Sequence, residues 1–191
     1  MRDRFFYPIA CLVIIAIMGI AMFPSLRLKN QMVQVDISKG FIVKGEALQQ
    51  LTPPEGTVIN LVRDLNDRIE YVNMSANISR ALAPPSAGVF AKVGTEFEPS
   101  FSGQNIHITV VAKSGITRPL GNFQMAYFSK NKSSGWQNFT LTPKYKAYVF
   151  SFAHPKYDKA HGQEYIGIWP GEKGQNLTMD VKEIRVEIIK P

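Results

Sequence analysis

Beyond residue 56, apolar and polar residues alternate with a period of two, and no segment sustains the 3.6-residue apolar period of an amphipathic helix. Successive side chains on a strand point to opposite faces, so this pattern dictates strands that bury one face. Candidate strands cover 57–63, 69–79, 88–97, 105–114, 122–129, 136–142, 145–153, 164–169 and 177–189. Turn-rich pieces such as "TPPEG", "APPSAG", "KSGITRPLG", "KNKSSG" and "WPGEKGQ" separate them. One helix candidate, "KGEALQQL", is stopped at once by "TPPEG". Eight or nine evenly spaced strands with no helices between them imply an all-β fold, a two-sheet antiparallel β-sandwich of the jelly-roll kind. Ile106, Ile108, Val110 and Ala112 mark one core face, and Phe123, Met125 and Tyr127 another. "YKAYVFSF" is apolar on both faces, which suits a central strand or the floor of a binding face. In the last strand Leu177, Met179 and Val181 share one parity, and Ile184, Val186 and Ile188 the other. A β-bulge near Lys182–Glu183 keeps both triplets facing the core.

The first residues differ in kind. From residue 5 to residue 26 there is no charged side chain, with Arg2 and Arg4 before the run and Arg27 and Lys29 after it. About 20 apolar residues in helical form cross a bilayer's hydrocarbon core, and only a helix satisfies its own backbone groups there. Two readings compete: a retained single-span anchor, or a signal peptide cleaved after Gly19-Ile20-Ala21. The length of the run, and bulky Met22, Phe23 and Pro24 beyond the site, favour the anchor. Either way the remainder leaves the cytoplasm. The lone cysteine, Cys11, lies inside the apolar run, so the outer part has no disulfide, and a disulfide-free outer domain points to a bacterial envelope. Five Asn-x-Ser/Thr sequons fall mostly in strands and turns and read as polar strand chemistry. The expected layout is an anchor over 1–29, a juxtamembrane lead-in over 30–56 and a sandwich over 57–191, held on the outer side of a bacterial inner membrane.

The order "SGQNIHITVVAKSG", "FQMAYFS", "GWQNFTLTPKYKAYVFSF" and "LTMDVKEIRVEI" resembles the galactose-binding-like jelly roll of carbohydrate-binding modules. The resemblance spans about residues 57–191 and is best over 101–191. It implies a non-catalytic module that binds sugar, and a Trp136 that packs structurally. It further implies a structural calcium with Asp180 among its ligands. Calcium wants six to eight oxygens, and this sequence supplies one matching carboxylate, with Glu46 and Glu55 as further candidates. Jelly rolls host many functions, so the residues themselves have to carry the function.

Catalytic patterns are missing: there is no His-Glu-x-x-His, Gly-x-Ser-x-Gly, zinc spacing or phosphate loop. His107 alternates with strand apolar residues, while His154 and His161 flank a basic loop without a nucleophile pattern. The chain therefore reads as a binder and not an enzyme, with no cofactor motif. Sugar rings present apolar faces that aromatic side chains match, and hydroxyls that planar polar groups match. Candidate stackers are Trp169, Tyr165, Trp136, Tyr127 and Tyr148, with Asn122, Gln124 and Gln163 as polar partners. Trp169, ahead of Pro170-Gly171 at a strand end, is the expected exposed aromatic. Charge is lopsided: residues 30–100 hold six basic and eight acidic groups, residues 101–191 twelve and six. Lys113, Arg118, Lys130, Lys132, Lys144, Lys146, Lys156 and Lys159 face Asp158 alone and form a candidate anion patch. Outside the cytoplasm the matching anions are acidic glycans, phosphate polymers or lipid headgroups, and nucleic acid is excluded by location. The leading expectation is a membrane-anchored module for carbohydrate or anionic envelope glycan. The alternative is an accessory subunit that docks on a membrane complex through its sandwich and its helix.

Overall fold

The computed structural model describes residues 40–78, 80–83, 86, 88–130, 132–156, 162–171 and 176–189. These belong to one unit, Asp36–Pro191. The expected span over 5–26 and the first part of the lead-in, 30–39, lie outside the described residues. Within them, no helix is long and apolar enough to cross a membrane.

Among the described residues there are eleven strands: β1 (Phe41–Lys44), β2 (Thr57–Arg63), β3 (Ile69–Ala76), β4 (Val89–Val93), β5 (Asn105–Ser114), β6 (Asn122–Ser129), β7 (Lys132–Ser133), β8 (Gln137–Thr140), β9 (Lys146–Ala153), β10 (Glu164–Trp169) and β11 (Thr178–Ile188). They form two sheets whose ladders are all antiparallel. Sheet 1 runs β2-β3-β11-β5-β9, with β1 also on β11; sheet 2 runs β4-β10-β6, with β7 and β8 both on β6. The alternation expected from sequence is the alternation observed. Ile106, Ile108, Val110 and Ala112 from sheet 1 pack with Phe123, Met125, Ile166 and Ile168 from sheet 2 in one buried interior. Each fully buried aliphatic side chain of this kind contributes about 1.5–3 kcal/mol of transfer free energy. The pairing of β11 with β5 shifts between Val181 and Glu183, which is the expected bulge. The bulge divides β11: Thr178–Val181 pair with β3, and Glu183–Val186 pair with β1.

The sandwich starts earlier than residue 57. Residues 41–44 are strand, and Gly45–Gln50 form a 3-10 helix. Phe41, Val43, Leu48 and Leu51 join the core, so part of the expected lead-in is structural wall. Thr52 bridges Phe90 and ties this wall to the edge of sheet 2. A second difference concerns β9, which is the edge of sheet 1 and not a central strand. Its outward Ala147, Val149 and Ser151 are exposed, while Tyr148 and Phe152 point inward and are buried. The strand is apolar on both sides without being covered on both sides.

Local chemistry explains the turns. Asp64 Oδ1 accepts from the backbone N–H of Asn66 at 2.8 Å and of Arg68 at 2.9 Å, closing the β2–β3 turn. The Arg68 N–H in particular holds the Asp64 carboxyl below its ordinary value.

Candidate functional site

The outward side of sheet 2 gathers the side chains suited to holding a planar polar ligand. Its strands present their second parity there. Pairing places Lys92, Tyr165 and Phe128 in one row, Phe90, Gly167 and Ala126 in the next, and Trp169, Gln124 and Asn138 in a third. The middle row has small residues at two adjacent positions, so its backbone lies low between bulky rows. Trp136 occupies the space this leaves. Its ring meets Phe128 edge-on at 5.6 Å, and a Cβ added at Gly88 would come within 3.3 Å of its Cη2. The indole therefore reaches from the β7–β8 side toward the start of β4. Two glycines permit this. Gly135, at φ +68°, makes the left-handed turn that launches Trp136; Gly88, at φ +67°, lacks the Cβ that would sit 2.4 Å from the Ile168 carbonyl oxygen.

Arg80, from the β3–β4 connection, lies over this face. Its guanidinium carbon sits 5.4 Å from the Trp136 ring centroid, and its Nε donates to Gln124 Oε1. Gln124 Nε2 donates in turn to Asn138 Oδ1 at 2.5 Å. Gln124 is buried, so this chain fixes the orientation of its amide. Tyr165 is half-buried, meets Phe90 edge-on at 5.1 Å and donates its hydroxyl to Gln163.

The sequence-predicted residues divide. Tyr165, Trp136, Gln124 and Gln163 come together here, and exposed Asn122 stands at the margin, where its Oδ1 accepts from Thr140 Oγ1 at 2.9 Å. Trp169 also has outward parity, but it is fully buried, which corrects the expected exposure. Its indole N–H finds no acceptor among the described residues. Tyr127 and Tyr148 are corrected more sharply, since both face the interior. Tyr148 packs edge-on against Phe123 at 5.1 Å and Phe139 at 5.9 Å. Tyr127 donates to Glu164 Oε2 at 2.5 Å, and Glu164 Oε1 lies 2.8 Å from His154 Nε2. His154 Nδ1 faces the Pro155 carbonyl oxygen at 2.9 Å. This buried triad braces the sandwich interior where β10 begins and β9 ends. Sequence reading missed it because Tyr127, His154 and Glu164 are brought together only by tertiary pairing.

The basic residues do not form one patch. Lys146 pairs with Ala112 at one end of β9, whereas Lys132 Nζ reaches the Ala153 carbonyl at the other. Seven steps of strand separate these ends by roughly 23 Å. Lys113 lies near the first end on the outward side of sheet 1, whereas Lys146 has the parity of inward Tyr148, and Lys144 stands between β8 and β9. Arg118 occupies the β5–β6 connection, Lys130 the β6–β7 turn, and Lys156 packs near Gly103. Lys159 lies outside the described residues.

Asp180 is buried, and both its oxygens are taken: Asn73 Nδ2 donates at 2.7 Å, and Lys113 Nζ stands 3.4 Å away. An ammonium already supplies the positive charge, so this donor set does not fit calcium. Among the described residues no group of three or more acidic, histidine or cysteine side chains could hold a metal. Lys113 also lies over the rings of Tyr145 at 4.9 Å and Tyr71 at 5.7 Å. Burial, followed by the Asp180 charge, pushes the Tyr145 phenol above its ordinary value.

No family model matches this chain, and no curated protein matches its sequence. Solved structures do match. The C-terminal family 22 carbohydrate binding module of Clostridium thermocellum Xyn10B is 10% identical, with 80% of this chain and 94% of that chain covered and a TM-score of 0.52. The CBM22-1 xylan-binding domain of Paenibacillus barcinonensis Xyn10C is 9% identical over 81% of this chain and 98% of its own, at 0.51. The chain also covers 46% of the tandem CBM22-1-CBM22-2 structure from the same Paenibacillus protein, at 9% identity and 0.52. At such identities the match is one of fold: the chain shares with these modules a two-sheet antiparallel β-sandwich.

Proposed function

We propose that this protein is a non-catalytic carbohydrate-binding module, held by its N-terminal apolar run on the outer side of a bacterial inner membrane, with the outward side of sheet 2 as its sugar face. The observation that carries the reading is the company kept on that face. Half-buried aromatics (Tyr165, Phe90, Trp136) stand beside a guanidinium and two amides held by mutual hydrogen bonds. Apolar sugar faces and ring hydroxyls need that combination. Structural neighbours described as xylan-binding support the ligand class, and the uncharged run from residue 5 to residue 26 supports the anchor.

The test is retention of the full-length protein, in detergent, on immobilised polysaccharides. Tyr165→Ala and Asn138→Ala should each reduce retention while the melting temperature holds. The reading fails if no polysaccharide is retained, or if neither substitution matters. Protease added to intact spheroplasts should cleave the sandwich if it stands outside the inner membrane; protection would remove the extracytoplasmic placement.

A further inference from the structure

We infer that the sugar face of sheet 2 takes a sugar bearing a carboxylate, a uronic acid unit, and that Arg80 is the residue that reads it. The inference deepens the carbohydrate reading above and rests on it. Arg80 spends its Nε on Gln124. Among the described residues its two terminal nitrogens have no acceptor, which leaves the end edge of the guanidinium, two parallel N–H bonds, for a ligand. Contact with Trp136 and the bond to the buried Gln124 hold the guanidinium plane in place. A fork held this way loses little freedom when it binds, and planar carboxylates match it with two oxygens.

The rest of the face agrees on sign and on polarity. At outward positions of β4, β6, β8 and β10 the charged side chain is Lys92, and no acid appears there. Part of the spare hydrogen-bonding capacity is donor capacity, beside the lone pairs left on Tyr165 Oη and Thr140 Oγ1. Asn138 has its carbonyl occupied by Gln124 and its Nδ2 left over, and Asn122 has its carbonyl occupied by Thr140. The indole N–H of Trp169, beside Gln124 in the pairing, is buried without an acceptor among the described residues. A carboxylate accepts only, and carries the charge that Arg80 and Lys92 lack. A ring carboxyl also lies in reach of a cation that shares the aromatic surface on which the ring rests.

The experiment compares polygalacturonate and alginate with the same polymers after carboxyl reduction, which converts each –COO⁻ to –CH₂OH without altering the protein. Full-length protein in detergent should be retained on at least one acidic polymer and released by its reduced form. Arg80→Gln should weaken that binding by about ten- to a hundredfold, the loss expected for a charged hydrogen-bonded contact. Arg80→Lys, which keeps the charge and loses the fork, should also weaken it several-fold, with a cooperative unfolding transition kept in both variants to show that the fold survives loss of the bond to Gln124. Equal retention on acidic and reduced polymers, or retention indifferent to Arg80, overturns the inference and leaves the sugar reading standing. Retention on a phosphodiester polymer such as teichoic acid, but on no uronate, also overturns it. Retention on no polysaccharide at all overturns both.

Discussion

Tyr127→Phe removes one oxygen atom from the interior and leaves the ring in place. That oxygen donates to Glu164 at 2.5 Å, and Tyr127, Glu164 and His154 are 0%, 2% and 4% exposed. Water therefore has little room to replace the lost donor, and the carboxylate keeps only its remaining partners. A charge-assisted bond lost under these conditions costs about 2 kcal/mol, which for a domain of this size lowers the melting temperature by roughly 4–8 °C. Urea unfolding followed by tryptophan fluorescence measures it directly, because the two tryptophans, Trp136 and Trp169, both sit on sheet 2. The same substitution in a Glu164→Gln background should cost about 1 kcal/mol, since the acceptor is then neutral. A loss below about 0.5 kcal/mol in the parent, or equal losses in both backgrounds, would refute the claim that a charged acceptor anchors this triad.

The outward side of sheet 1 gives further expected outcomes, at Tyr145 and at Asp180. The Tyr145 phenol is raised above its ordinary value near 10, chiefly by burial, so the folded state holds the proton after the unfolded chain has lost it. Its contribution is fully present below pH 10 and is lost as pH climbs above that; Tyr145→Phe should flatten the alkaline fall in a pH series of melting temperatures. That hydroxyl has no partner among the described residues, so the same variant should be neutral or slightly stabilising at pH 7. Because Lys113 already pairs with Asp180, chelation with EDTA should leave the melting temperature unmoved, whereas Asp180→Ala should lower stability by about 1–3 kcal/mol by stripping Lys113 and Asn73 of their acceptor.

The strands were legible because the alternation is strong and the turns are chemically explicit. Four candidate spans, 57–63, 105–114, 122–129 and 164–169, coincide with β2, β5, β6 and β10. The β11 bulge was legible for the same reason, since a switch of parity has one simple geometric repair. The first core elements were not. Residues 41–51 are too short to show a period, and their burial comes from pairing with a strand some 140 positions later. The site was half-legible. Parity places Tyr165 and Gln124 outside, but parity also placed Trp169 outside, and only tertiary cover shows it to be buried. Arg80 sits in a connection with no pattern of its own, so no local signal marks it. Tyr148 misled because an aromatic on a strand looks the same from either side until the sheet has a partner, whereas parity had already put Tyr127 on a core face with Phe123 and Met125.

The order of strands in sheet 1 has a consequence for how the molecule comes into being. β11 lies in the centre, bonded to β1, β3 and β5, yet among the described strands it comes last in the chain. Until residues 178–188 arrive, the β2–β3 pair and the β5–β9 pair have no strand between them, and β1 has no partner in that sheet. A nascent chain of this connectivity cannot close that sheet before β11 is made, and an unclosed sheet resists passage through a narrow pore less than the finished sandwich does. The same connectivity makes premature termination costly: a chain that stops short of residue 178 lacks the keystone of the sheet and should meet the proteolytic machinery unfolded.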